Sequence, residues 1–276
     1  MSVLAPRTLD QAIDMIRSDP SSTLLAGGTD LMVEINLHGR RPSSVISLSR
    51  IDELRSYRVD ADVVTIGASV PYADMERGEL AEALPALAQA ARTVGSPQIR
   101  AAGTLGGNLG TSSPAGDGLP VLAALNAVID VVGPEGERRI PFEDFMTGVK
   151  KNSLATGEII RSISFQRSER WQGYAKVGSR NAMVIATASV CLTRSDSDVT
   201  VALGAVAPTI VRAHDAEVWI AENCDLSRPV PDTVASEFAE HVAAAARPID
   251  DHRSTASYRR HAVRVLSRRL LERSST

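Results

Sequence analysis

Cysteine is almost missing from this chain: Cys191 and Cys224 are the only two among 276 residues. Two thiols far apart in sequence build neither a disulfide framework nor the Cys₄ set of an iron–sulfur or zinc site. Histidine is nearly as scarce, with five residues and no His-x₃-His pair, so no metal centre is expected on the chain itself. Long apolar runs are also lacking. No stretch of about 18 apolar residues exists, and the N-terminal MSVLAPRTLDQAI has no cationic segment leading into an apolar one. A soluble, cytoplasmic protein is the expectation. Nor is there a charge excess: the formal net charge is -3 with 23% charged residues, which gives no basic field for nucleic acid. Neither the G-x-G-x-x-G fingerprint nor a G-x-x-x-x-G-K-[ST] loop occurs, and no repeat or low-complexity tract interrupts the chain.

What is present is a mixed pattern of strands and helices. Thr8 and Gln11 have capping-box spacing, and Leu9, Ala12, Ile13 and Ile16 follow on one helical face until Asp19-Pro20. Thr23–Leu25 reads as a buried strand, Gly27-Gly28 as a turn, Asp30–Leu37 as a helix, and Val45–Leu48 and Val63–Ile66 as further strands. A helical pattern from Pro71 places Leu80, Leu84, Leu87, Ala91 and Val94 on one face and breaks at Gly95-Ser96-Pro97. Leu119–Leu125 is then a helix, Ala127–Val132 a strand turning through Gly133–Gly136 to residues 138–142, and Glu158–Phe165 another strand. Strands at Tyr174–Val177, Val184–Leu192 and Val199–Val206 precede a helical tail. The last helix, Thr255–Leu271, puts Arg259, Arg260, Arg264, Arg268 and Arg269 on a face expected to be solvated. The order of elements predicts packed α+β subdomains rather than a doubly wound Rossmann sheet.

Two stretches concentrate glycine. The fifteen-residue segment from Gly103 to Asp117 carries five glycines together with Thr104, Asn108, Thr111, Ser112 and Ser113. Glycine allows backbone N–H groups to turn inward and lets a ligand approach closely, so such a segment suits a phosphate or diphosphate. The same composition also describes an ordinary tight turn. Upstream, Leu24-Leu25-Ala26-Gly27-Gly28-Thr29-Asp30-Leu31 repeats the arrangement, a strand running into Gly-Gly and then a helix.

LLAGGTDL followed by QIRAAGTLGGNLGTSSPAGD resembles the FAD-binding medium subunit of the molybdenum hydroxylases, the xanthine dehydrogenase and carbon monoxide dehydrogenase group. The resemblance runs from about residue 3 to 271 and implies an α+β FAD-binding fold of the PCMH/vanillyl-alcohol-oxidase type. It divides the chain into FAD-binding subdomains at 1–55 and 56–170 and a C-terminal sheet-and-helix domain at 171–276. Carried over position by position, it implies cofactor contacts from Leu25, Ala26, Gly27, Gly28, Thr29, Asp30 and Leu31 on one side. Thr104, Gly106, Gly107, Asn108, Thr111 and Asp117 face them, with Ile160 and Lys176 later in the chain. A carboxylate repels diphosphate, so Asp117 belongs on a flavin or ribose hydroxyl; capping the next helix is the alternative. Lys176, in Gly-Tyr-Ala-Lys-Val-Gly-Ser-Arg, matches a lysine that reaches the flavin, although spacing alone makes it an exposed strand residue. The chain departs from the family at Val184-Ile185, where an Asp–aromatic pair is common, and no redox cysteine pair accompanies the loops.

The implied role is electron transfer. By the resemblance, FAD would take electrons from a [2Fe–2S] cluster on a small subunit, fed by a molybdenum cofactor on a large subunit, and pass them to an external acceptor, in a dimer of heterotrimers. A self-sufficient FAD-dependent oxidoreductase and a cofactor-free assembly module are the alternatives. The first of these needs an acid or base over the flavin, and neither a histidine nor a carboxylate pair stands near the loops.

Overall fold

Thr8 starts the first helix: in a computed structural model that describes residues 2–275, its side-chain oxygen accepts from the Gln11 N–H at 3.2 Å. That helix, Leu9–Ser18, buries Leu9, Ala12, Ile13 and Ile16, the four residues its periodicity puts on one face. It lies between the first two strands of a parallel sheet formed by Ser2–Leu4, Thr23–Leu25 and Ser44–Ser47, with Ser44–Ser47 in the middle. The helix Leu31–Leu37 links the second and third strands and has no buried residue.

A five-stranded antiparallel sheet follows, in the order Tyr57–Val59, Val63–Gly67, Ile159–Gln166, Val128–Gly133, Gly136–Pro141. Ile163 pairs with Ile66 on one side and Ile129 on the other, so the strand last in sequence is central. The chain between Gly67 and Val128 is therefore an excursion from one sheet, anchored at both ends. Within it the expected helical run from Pro71 is broken into Tyr72–Met75, Glu79–Ala83 and Pro85–Thr93. Gly78, at φ +70°, makes one break. Pro85 makes the other, since it lacks the N–H that a continuous helix would use. Leu80, Leu84, Leu87 and Ala91 are buried all the same.

The last sheet is antiparallel, in the order Trp171–Val177, Ala188–Arg194, Val199–Gly204, Val211–Arg212. Every residue of its two middle strands is buried. Alternation explains why both faces are covered. Tyr174, Cys191 and Ala202 point into the core of the preceding sheets, and Val190, Leu192, Val201 and Leu203 pack with the helices His214–Asn223, Asp232–Ala245 and Ala256–Arg273. Burial pushes the Cys191 thiol well up, and the side chain behaves as a small apolar group.

Two expectations fail in this part of the chain. Residues 184–187 do not join the sheet, whose strand begins at Ala188. Arg259 is not on a solvated face: it is 3% exposed, and its guanidinium donates to the carbonyls of Thr187 and Ala205 and to Asp251, each at 2.7 Å. Those carbonyls lie outside the strand ladder and need a donor, which a helical arginine from the tail supplies. Arg264 and Arg268 do stay on the surface, paired with Glu240 and with Asp232 and Glu272. No helix among the described residues is long and apolar enough to cross a membrane.

Candidate functional site

The two glycine-bearing stretches meet in space. A Cβ built on Gly27 would lie 1.8 Å from the Ala102 carbonyl oxygen, and one on Gly107 would lie 3.6 Å from the Ala26 Cβ. Beside this contact opens a cleft of about 810 Å³, within the roughly 300–1,000 Å³ of small-molecule and cofactor sites. Residues 25–31, Thr104, Gly106, Gly107, Asn108, Thr111, Asp117 and Ile160 all line it. Lys176 alone of the expected positions does not.

One lip is a run of open donors. The chain turns through Gly28 at φ +74°, a conformation that favours glycine. Among the described residues, the backbone N–H groups of residues 26–30 have no acceptor within the chain. Regular bonding resumes at Met32, whose N–H reaches the Gly28 carbonyl at 2.9 Å. Successive unpaired N–H groups at a turn make a concavity suited to an anion.

The opposite lip differs from expectation. Where glycine content predicts a loop over Gly103–Asp117, the structure has a helix over Leu105–Thr111. Its first N–H groups are already spent. Gly106 donates to the Ala68 carbonyl at 3.0 Å, Gly107 to Thr104 Oγ1 at 2.9 Å, and Asn108 to the Thr104 carbonyl at 3.0 Å. Thr104 is thus an N-cap. Glycine at 106 serves packing: a Cβ there would lie 2.5 Å from both the Cβ and the carbonyl oxygen of Ala68. This lip therefore presents side chains rather than an anion nest. Asn108 Oδ1 accepts from the Tyr72 hydroxyl at 2.8 Å, which leaves its amide NH₂ for the cleft.

Asp117 forms the floor and does not cap the following helix, whose N-cap, Gly118, has no side-chain bond. Its carboxylate accepts from the Tyr174 hydroxyl at 2.8 Å and from Lys176 Nζ at 2.7 Å. The Lys176 ammonium also donates to the carbonyls of Thr93 at 2.8 Å and Val184 at 3.1 Å. Its three protons are then used beneath the cleft, so its charge reaches a ligand only through Asp117. Burial pushes the Asp117 carboxyl up, opposed by Lys176 and the Tyr174 hydrogen bond. Burial likewise raises the phenols of Tyr174 and Tyr72, so both remain neutral donors at neutral pH.

Several residues of the cleft carry no local signal in the sequence. Lys150, at φ +53°, donates its N–H to the Ser112 carbonyl at 3.1 Å and its ammonium to Glu34 at 2.6 Å. It spans from one lip to the other. The Lys150 ammonium holds the Glu34 carboxyl below the usual range. Met183 joins Val184 and Ile185, the positions that depart from the family's Asp–aromatic pair, in a wall to which this stretch brings no ring. Only a pattern on both sides of a long separation would have revealed these contacts.

Fold and cleft together define a mixed α/β cofactor-binding protein, with an anion nest on one lip and polar side chains on the other. Residues 1–165 match the family described as the FAD binding domain in molybdopterin dehydrogenase, and residues 174–274 match the CO dehydrogenase flavoprotein C-terminal domain. The chain belongs to this family of oxidoreductase flavoprotein subunits. It is 32% identical to the nicotine 6-hydroxylase medium subunit of Paenarthrobacter nicotinovorans, over 97% of this chain and 94% of that one. It is 35% identical to the nicotinate dehydrogenase FAD-subunit of Eubacterium barkeri over 66% of this chain, a match spanning 64% of that relative. Its structure superposes on carbon monoxide dehydrogenase from Hydrogenophaga pseudoflava with a TM-score of 0.87 at 27% identity, covering 99% of this chain and 95% of that one.

Proposed function

We propose that this chain is the electron-transfer subunit of a multi-subunit molybdenum hydroxylase, holding FAD in the cleft between residues 25–31 and 104–117. The observation that carries the proposal is the run of open N–H groups at residues 26–30 facing a lip of uncharged donors. A dinucleotide cofactor has a diphosphate for the first and ring and sugar heteroatoms for the second. Bound FAD supplies a centre able to pass electrons one or two at a time. The chain's own residues do the rest. The N–H run neutralises the diphosphate, the bare faces of Gly27 and Gly107 keep the lips close, and Asp117 accepts from a hydroxyl or ring N–H while Lys176 and Tyr174 fix its orientation. Among the described residues no group of three or more His, Cys, Asp or Glu side chains could hold a metal. The [2Fe–2S] cluster and molybdenum cofactor belong, in this proposal, to a small and a large partner subunit, assembled as a dimer of heterotrimers in the cytoplasm.

Two measurements test it. Heat-denatured native protein should release FAD, identified by chromatography and mass, in near-stoichiometric amount; FMN in its place would contradict a nest built for a bridging diphosphate. Affinity purification at moderate salt should bring down two further polypeptides with iron and molybdenum. The isolated chain should be reduced by dithionite but not by the organic substrate of the complex. A lone, fully active, metal-free preparation would instead mark a self-sufficient flavoenzyme.

A further inference from the structure

Among the described residues, the cleft lining holds one buried side-chain polar atom with nothing to bond. Ser69 lines it, is 8% exposed, and its Oγ has no hydrogen-bond partner. The other side chains with an unpartnered buried atom, on Ser153, Arg170, Gln172, Ser189 and Arg259, belong to residues outside the cleft lining. The backbone around Ser69 is held in place. Its N–H donates to the Leu54 carbonyl at 2.8 Å, the Val70 N–H donates to the Gly67 carbonyl at 3.0 Å, and the Ala68 carbonyl receives Gly106 at 3.0 Å. Gly67 is wedged as well, since a Cβ there would lie 2.4 Å from the Leu54 carbonyl oxygen. A buried hydroxyl on a backbone held in this way, with neither water-facing surface nor a protein partner, is destabilising unless something that enters the cleft bonds to it.

We propose that Ser69 is a cofactor-positioning residue whose Oγ hydrogen-bonds an uncharged polar atom of the bound FAD, a sugar hydroxyl or a ring heteroatom. This rests on the cleft being the FAD site. The diphosphate is matched by the N–H run on the other lip, whereas a hydroxyl, which both donates and accepts, suits the neutral polar atoms of the cofactor. Ser69 sits directly after Ala68, against which Gly106 packs, so the same short segment sets the position of the glycine-bearing helix and of this hydroxyl. No step of electron transfer is assigned to it.

The test compares full-length wild type and Ser69→Ala, each stripped of flavin and titrated with FAD, with thermal midpoints measured before and after loading. The dissociation constant of the variant should rise about fivefold, the value of one hydrogen bond of ordinary strength. Its flavin-free midpoint should be unchanged or higher, because an unsatisfied group has been removed. The midpoint gain on FAD addition should shrink. An unchanged dissociation constant, or equal losses of midpoint in the flavin-free and loaded forms, overturns the assignment and leaves a packing role. Failure of wild type itself to take up FAD overturns the cofactor reading and this assignment with it.

Discussion

Gly27→Ala should sharply lower flavin retention while leaving most of the secondary structure in place. A methyl group at this position would lie 1.8 Å from the oxygen and 2.6 Å from the carbon of the Ala102 carbonyl, and 3.0 Å from the Gly103 Cα, all of them backbone atoms. No side-chain rotation relieves such a clash, so the loop at residues 26–30 must move away from the chain leading into the helix at Leu105. Forced overpacking of this kind costs about 1–3 kcal/mol or more, and here the strain falls on the line where both lips meet. FAD affinity should drop by about fivefold to a hundredfold or more, since every 1.4 kcal/mol is a factor of ten. Gly107→Val is the companion variant: its Cβ meets Thr104 Oγ1 at 3.0 Å and the Ala26 Cβ at 3.6 Å, so the fold tolerates it more easily, but its branches enter the space between the lips. Flavin content per chain, read from absorbance near 450 nm beside circular dichroism, decides the matter. Full flavin content in Gly27→Ala would show that the lips need not touch.

Lys176→Met should be the most destabilising single change beneath the cleft. Lys176 and Asp117 side chains are 8% and 9% exposed, and removing one member of a buried pair typically costs about 3–5 kcal/mol. At about 2–4 °C per kcal/mol for a chain of this size class, the thermal midpoint should fall by roughly 6–20 °C. The pH dependence has a definite sign. The folded-state carboxyl of Asp117 is raised above its ordinary value by burial, even with the Lys176 ammonium beside it, so ionising it costs more in the folded chain than in the unfolded one. Stability from this group is fully present below the unfolded pKa of about 3.9 and is lost as pH rises through the folded value. Without the ammonium that value climbs further, and the deficit of Lys176→Met should be larger at pH 8 than at pH 5. Adding Asp117→Asn to Lys176→Met should recover part of the loss. Calorimetry at both pH values would refute this if the deficits were equal.

Local patterns carried much of the fold. Leu9, Ala12, Ile13 and Ile16 were legible because a capped helix with one apolar face needs only neighbours in sequence. The meeting of the two glycine stretches was legible through their resemblance to a family, since neither composition nor periodicity fixes which segments touch. The helix at Leu105–Thr111 was not legible, because glycine is a poor helix former, and what secures this helix is the Thr104 cap together with close packing on Ala68. Arg259, Lys150 and Ser69 were invisible for a common reason. Their surroundings are set by residues distant in sequence, such as Thr187, Glu34 and Leu54, and an arginine at a helical surface spacing looks the same whether or not a carbonyl waits for it.

Lys176 also determines when the site can exist. Its ammonium gathers Thr93, Asp117 and Val184, and the wall at residues 183–185 comes from the same late stretch of chain. During synthesis both glycine-bearing segments leave the ribosome before Lys176 does, so the nascent protein has the lips of its cleft before it has the wall at 183–185 or the ammonium beneath Asp117. A cleft that needs this wall and this lysine is complete only once the chain through residue 185 has been made and packed.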